Sequence, residues 1–429
     1  MTQAGGDGGF LGSAPARQIP VGGGNASREC CPKNIGRAMN GASFDLLQSR
    51  PMPSQSGAIG PAIKEAEPLK PYTTFKIGGP ARYFARAASI EEFRGVSELA
   101  GKLSLPLFVL GGGSNILVSD SGFEGVVVHP ACRGIEVLHE DAETVTLEVN
   151  AAETWDGLVQ HAVERNWWGI ENLSHIPGQA GAALVQNIGA YGQQASDVVQ
   201  SARVLEIATG APHVLSAADC GFGYRRSILN TTARGKLIIA GLTLRLARHG
   251  GPKLDYPDLR DYFRERGVKQ PSLHEIRQAI ISIRDRKFPF PREERGGNAG
   301  SFFKNLVLLE SEYEALREML RRNFPPRDLT RLEEMQNRFP AQDRIKIPTA
   351  FLISICGLKG YRIGGAQVNE TQPLVLLNQG GATAQDVIAL AQHVRKTVRA
   401  RTGMAIALEP ELVGFTHQEL SAINNLEGS

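Results

Sequence analysis

The chain has 429 residues, 42% hydrophobic and 21% charged, the balance of a soluble globular protein long enough for two or three cores. A formal net charge of +3 implies neither a nucleic-acid nor a membrane partner, and no run reaches the roughly 18 uninterrupted apolar residues of a membrane helix. The five cysteines are odd in number and scattered, which suits a reducing cytoplasm and argues against a disulfide framework or a structural zinc site.

Residues 1–62 lack apolar periodicity and carry Gly22-Gly23-Gly24 and Pro51-Met52-Pro53, so they are expected to form a disordered or loosely attached extension. Met1 to Gly24 has no basic segment leading into an apolar one, as a secretory signal would. Cys30-Cys31 has no second ligand pair nearby and reads as two thiols in that tail.

Dense patterning begins at Pro71. Ala81–Ala87 predicts a strand, and Ser89 opens a helix with Glu92 three residues on and Phe93, Val96 and Leu99 as its inner stripe. Leu105–Leu110, Gly125–His129, Thr144–Val149, Ala202–Ile207 and Leu237–Leu246 predict further strands, and Thr154–Arg165 a helix. Later helices are expected at 273–286, 310–323 and 383–402, the last capped by Thr383 with Asp386 three residues on, and strands at Ala366–Val368 and Leu374–Leu377. The chain reads as α+β, in several modules, with no internal repeat.

Two glycine-rich stretches point to a ligand. The strand ending at Leu110 runs into Gly111-Gly112-Gly113-Ser114-Asn115, where a backbone free of side chains lets N–H groups approach an anion. It is not a dinucleotide-binding fingerprint, since the third glycine position is Ile116 and Ile116–His129 is strand-like rather than helical. The second stretch runs from Glu171 through Ser174, Ile176-Pro177-Gly178 and Gly181 to Asn187-Ile188-Gly189-Ala190-Tyr191-Gly192, and fits a backbone lying against a large flat ligand. Arg284-Asp285-Arg286-Lys287, continuing to Arg292 and Arg295, concentrates positive charge; a diphosphate ligand and a solvated basic face both explain it.

These residues, with Thr73–Gly79, Phe222-Gly223-Tyr224-Arg225, Gly300–Asn305, Leu358–Gly360, Ile363–Gly365 and Leu408-Glu409-Pro410-Glu411 in order, resemble the UDP-N-acetylenolpyruvoylglucosamine reductase (MurB) family from about Pro71 to Phe415. The resemblance implies FAD held between two α+β subdomains of the vanillyl-alcohol-oxidase (PCMH) type, with a third α+β subdomain over the substrate. Domain expectations follow: an extension at 1–62, one FAD subdomain at 63–132 to which 410–429 returns, a second at 133–285, and a substrate domain at 286–409.

The implied reaction is NADPH-driven reduction of a UDP-sugar enolpyruvyl ether by a cytoplasmic, monomeric enzyme of peptidoglycan precursor synthesis, with no metal. The resemblance assigns catalysis to Arg225 (carboxylate stabilisation), Ser301 (proton donor) and Glu411. Glu409 rivals Glu411, because strand alternation would point both to one side. Cofactor contacts are implied for Gly111, Gly112, Gly113, Ser114, Asn115, Ser174, Ile176, Pro177, Gly178, Gly181, Asn187 and Gly189. Substrate contacts are implied for Tyr191, Tyr224, Lys287, Asn305 and Gln372, and for Tyr256, the mark of the subclass with a substrate-closing tyrosine loop.

His175, Gln179 and Leu184 depart from the family pattern at the expected flavin face, Leu412-Val413-Gly414 lacks the arginine usual after Glu411, and residues 323–346 are longer and more charged than expected. The alternatives are another flavin oxidoreductase of the same cofactor fold and a catalytically silent nucleotide-binding protein.

Overall fold

The structure is a computed structural model describing residues 61–424 apart from 288–295, 339, 342 and 343. Cys30, Cys31, Arg292 and Arg295 therefore lie outside the described residues.

The first module contains β1 (Ile63–Pro68), β2 (Pro80–Ala87), α1 (Ile90–Leu103), β3 (Leu107–Val109), β4 (Ile116–Val118) and β5 (Phe123–Pro130). Four strands form a sheet in the order β1-β2-β5-β3, in which β5 lies parallel to both β2 and β3. Val126, Val127 and Val128 of β5 are all buried, as a strand covered on both faces requires. The period of two splits them. Val126 and Val128 join Phe93 and Val96 of α1, while Val127 joins Phe84, Leu110 and Val118 on the other side. Ser89 caps α1 by accepting from the Glu92 amide at 3.2 Å.

The second module comprises β6 (Ile135–Glu140), β7 (Thr144–Asn150), α2 (Trp155–Glu164), α3 (Ala180–Val185), β8 (Gly189–Ala190), β9 (Gln193–Gln194), β10 (Val199–Glu206), β11 (Pro212–Ser216), β12 (Leu237–Ala247), α4 (Pro257–Glu265) and α5 (Leu273–Lys287). Its main sheet is antiparallel in the order β11-β10-β12-β7-β6. Alternate residues Val145, Leu147 and Val149 of β7 enter the core that also holds Phe93 and Val96, so the first two modules share one interior.

The third module holds β13 (Leu306–Leu308), α6 (Glu310–Asn323), α7 (Pro326–Arg338), β14 (Pro340–Ala341), β15 (Arg344–Ile347), α8 (Thr349–Ile355), β16 (Arg362–Ile363), β17 (Ala366–Val368), β18 (Leu376–Asn378) and α9 (Ala384–Thr402). The extra length expected at 323–346 is mostly α7. Thr383 and Asp386 form the capping box of α9, and Asp120 of the first module also caps it, accepting from the Ala384 and Gln385 amides at 2.8 and 3.1 Å. The chain then returns: β19 (Glu411–Val413) lies parallel to β4, with Glu411 opposite Ile116, and α10 (His417–Asn424) follows.

The α+β class read from the sequence holds, with some boundaries moved. The strand expected at Leu105–Leu110 is confined to β3, and the one at Leu374–Leu377 shifts to β18. Among the described residues no helix is long and apolar enough to cross a membrane, and no group of His, Cys, Asp and Glu is placed to hold a metal.

Candidate active site

A cleft of about 530 Å³ opens where the three modules meet. Its floor is built from the two glycine stretches. A Cβ on Gly112 would stand 2.5 Å from the Gly178 Cα, and one on Gly113, at φ +60°, would stand 2.1 Å from the Tyr72 carbonyl oxygen. The two loops pack backbone against backbone, so side chains are excluded here by contact as well as by conformation. Gly111, Gly112, Gly113, Ser114, Asn115, Ile176, Pro177 and Gly178 all line the cleft.

The other four residues assigned to the cofactor lie behind this lining. Ser174 is fully buried and donates to the Glu171 carbonyl at 2.6 Å, and a Cβ on Gly181 would meet that of Ala151 at 2.8 Å. Asn187 ties together the Arg225 turn and the next loop, donating to Gly223 O at 3.2 Å and accepting from the Ser196 amide at 2.9 Å. Gly189 pairs with Gln194 in the β8–β9 hairpin. These four support the loops that make the floor.

The rim is charged. Arg225, Arg234, Lys304, Arg395, Glu409 and Glu411 all line the cleft. Arg225 sits at φ +53° in a turn closed by reciprocal Gly223–Arg226 backbone hydrogen bonds, and its carbonyl accepts from Asn230 Nδ2 at 3.1 Å. A non-glycine residue held in the left-handed region is strained, and such strain persists only where its surroundings fix it. Arg226 is exposed, so the turn itself separates the two neighbouring arginines.

The two glutamates both line the cleft but pair with different arginines. Glu409 is 9% exposed and its Oε1 lies 3.2 Å from Arg225 Nε, whereas Glu411 is 36% exposed and pairs with Arg234 at 2.7 Å. The reason is local: β19 begins only at Glu411, and Pro410 separates it from Leu408, which bridges Phe303 instead. Burial raises the Glu409 carboxyl above its ordinary range, against the pull of Arg225, Lys304 and Lys346.

Ser301 is half-buried beside the lining, in the segment that supplies Lys304 to it. Its neighbour Phe302 accepts from the Glu409 amide at 3.0 Å. The Ser301 hydroxyl caps no helix and makes no hydrogen bond to another described residue, unlike an ordinary turn or cap serine.

The residues assigned to substrate form two groups. Tyr191 and Tyr256 meet edge to face at 5.2 Å between ring centres, and Lys287 pairs at 2.7 Å with Asp258 in the first turn of α4. The Tyr191 hydroxyl is pushed up to about 12 by burial, so it stays protonated. The Lys287 carbonyl accepts from Asn369 and Thr371, and Asn369 in turn accepts from the Gln372 amide at 3.3 Å. Tyr224, by contrast, is 54% exposed, with Lys346 Nζ 4.8 Å from its ring centre. Asn305 spends its side-chain oxygen on the Thr349 amide at the start of α8, at 3.1 Å.

Of the three departures expected at the flavin face, one lines the cleft and two do not. Gln179 lines the cleft, donating to the Pro130 carbonyl at 3.2 Å, but Leu184 is fully buried in the core and His175 turns away. The His175 amide donates to Asp156 at 2.5 Å, its Nε2 lies 2.9 Å from Asp285, and its carbonyl accepts from Arg284 at 2.8 Å. Arg277 completes the anchor with two bonds to Asp156 at 2.6 and 2.9 Å. Arg284 of the basic stretch is therefore buried and anchors the start of the Ile176-Pro177-Gly178 loop. Sequence reading missed Arg234, Lys304 and Arg395: Lys304 stands inside the Gly300–Asn305 motif without a role assigned to it, and Arg234 and Arg395 lie outside the motifs.

The fit to FAD rests on two features of the cleft: a glycine floor that a Cβ would fill and basic side chains for a diphosphate. Comparison with known proteins agrees. Residues 81–216 match the family described as FAD binding domain, and residues 291–413 match UDP-N-acetylenolpyruvoylglucosamine reductase, C-terminal domain. The UDP-N-acetylenolpyruvoylglucosamine reductase of Chromobacterium violaceum is 38% identical over 356 residues, 80% of this chain and 96% of that protein. That of Bacteroides fragilis is 37% identical over 345 residues, 80% of this chain and 97% of that protein. The crystal structure of the enzyme from Thermus caldophilus is 25% identical with a TM-score of 0.55, covering 82% of this chain and 98% of that one. The chain belongs to the UDP-N-acetylenolpyruvoylglucosamine reductase family of FAD-dependent oxidoreductases.

Proposed function

We propose that this enzyme reduces the enolpyruvyl ether of UDP-N-acetylglucosamine to UDP-N-acetylmuramate with NADPH, as a cytoplasmic monomer supplying peptidoglycan synthesis. The observation that carries the reading is the convergence of Arg225, Glu409 and Glu411 on a glycine-floored cleft, into which the segment that holds Ser301 delivers Lys304. Bound flavin supplies hydride carriage from NADPH to the enolpyruvyl double bond.

The chain's own residues then manage charge and the proton. Hydride addition leaves negative charge on the carbon next to the substrate carboxylate, and the planar guanidinium of Arg225 suits that carboxylate through two parallel hydrogen bonds. Ser301 donates the proton to that carbon; a serine is a weak acid, and the lysine three residues on, Lys304, supplies positive charge nearby. Glu411 orients the reacting carboxylate region from the end of β19. The basic rim and Gly111–Asn115 serve the FAD diphosphate.

Tyr191, Tyr224, Lys287, Asn305 and Gln372 serve the UDP sugar, and Tyr256 places the enzyme in the subclass with the closing tyrosine. Its position at the start of α4, against Tyr191, supports that role. The test is spectroscopic. Purified protein should be yellow, bleach on addition of NADPH, and recover its colour when the enolpyruvyl UDP sugar is added under exclusion of oxygen. Bleaching without recovery would point to another flavin oxidoreductase of this fold.

A further inference from the structure

Glu409 is a carboxylate held in the interior of the cleft by the fold itself. Its amide donates to Phe302 O at 3.0 Å, its carbonyl lies 3.5 Å from Asn115 Nδ2, and the flanking Leu408 bridges Phe303. Its side chain faces the guanidinium of Arg225 at 3.2 Å, with Lys304 and Lys346 as the other charges acting on it. Glu411, two residues away, is turned to Arg234. A buried carboxylate costs several kcal/mol of desolvation unless paired, so its position opposite one particular arginine calls for an explanation.

We propose that Glu409 is a positioning residue that acts as the internal counter-ion of Arg225, standing where the substrate carboxylate will bind and yielding the guanidinium to it. The inference rests on the reaction proposed above. Exchange of one carboxylate for another leaves Glu409 buried, deprived of its partner and close to a second negative charge. Both changes favour its protonated form, so substrate binding takes up a proton at Glu409. The neutral carboxyl then leaves the positive charge of Arg225 to the substrate. The direction agrees with the burial that already raises Glu409 despite three neighbouring cations.

The experiment is calorimetric titration of the flavin-loaded enzyme with the enolpyruvyl UDP sugar, in two buffers of different ionisation enthalpy and across pH. Wild type should take up protons on binding, and its affinity should rise by up to about tenfold for each unit the pH falls through the titration of Glu409. Glu409→Gln, similar in shape but unable to titrate, should bind the sugar with no proton uptake and no pH slope. A structural role alone would lower flavin content or thermal stability and leave the slope as in wild type. Equal proton uptake in both proteins overturns this inference and leaves the reaction standing; failure of wild type to bind the sugar overturns both. If Glu409→Gln does not retain flavin, Glu409→Asp must restore flavin and proton uptake together, and flavin without uptake overturns the inference.

Discussion

The floor and the rim of the cleft are made in opposite ways. The floor is a close approach of backbone, Gly112 to Gly178 and Gly113 to Tyr72, specified by what the glycines lack. The rim includes side chains brought from three distant segments: Arg225 with Arg234, Lys304, and the pair Glu409 and Glu411. A floor of this kind tolerates no added atom, because backbone cannot rotate away. Where the rim is exposed, as at Arg234 and Glu411, it tolerates more, because an exposed ion pair contributes little and its members can be re-satisfied by water.

This contrast can be broken by substitution, in order of expected effect. Gly112→Ala should abolish flavin retention, since the new methyl meets Gly178 Cα at 2.5 Å, closer than packing allows. The flavin-to-protein absorbance ratio of purified protein checks it; full flavin occupancy would show that the loops separate freely.

Asp156→Asn, in the clamp behind the floor, should cost about 3 kcal/mol in denaturant unfolding by leaving Arg277 buried without its partner. Burial acts to raise the Asp156 carboxyl, but the Arg277 bonds and the His175 amide outweigh it, so its net shift is downward. A depressed carboxyl stabilises the fold above its unfolded value of about 3.9 and loses that contribution as pH falls through the folded value. Wild type and variant should therefore differ at neutral pH and converge in strong acid; a pH-independent gap would exclude the charge as the cause.

Arg234→Ala, on the rim, should change unfolding free energy by less than about 1 kcal/mol, because its partner Glu411 is substantially exposed. A larger loss would mean that the rim pair holds β19 in place.

The same contrast explains what was legible in the sequence. Glycine runs are read directly, and so were the capped helices at Ser89 and Thr383, because each signal is local. The α+β class followed from them. The partner of an arginine is not local. Arg225 meets a residue 184 positions later in the chain, and no spacing rule shows that Glu409 would pair with Arg225 and Glu411 with Arg234. The same holds for His175, which reads as a substitution facing the flavin and is in fact tied to Asp156, Arg284 and Asp285. Ser174, Gly181, Asn187 and Gly189 stand in between. Their motif is legible, but the sequence does not distinguish a residue that touches a ligand from one that shapes the loop touching it.

The most direct test of the proposed chemistry separates the two half-reactions in Ser301→Ala. Rapid-mixing absorbance should show flavin bleaching by NADPH at the wild-type rate, and recovery on adding the enolpyruvyl UDP sugar slowed by about 10²–10⁴-fold, the usual contribution of a positioned proton donor. Equal slowing of both steps, or of neither, would contradict the assignment of the proton to Ser301.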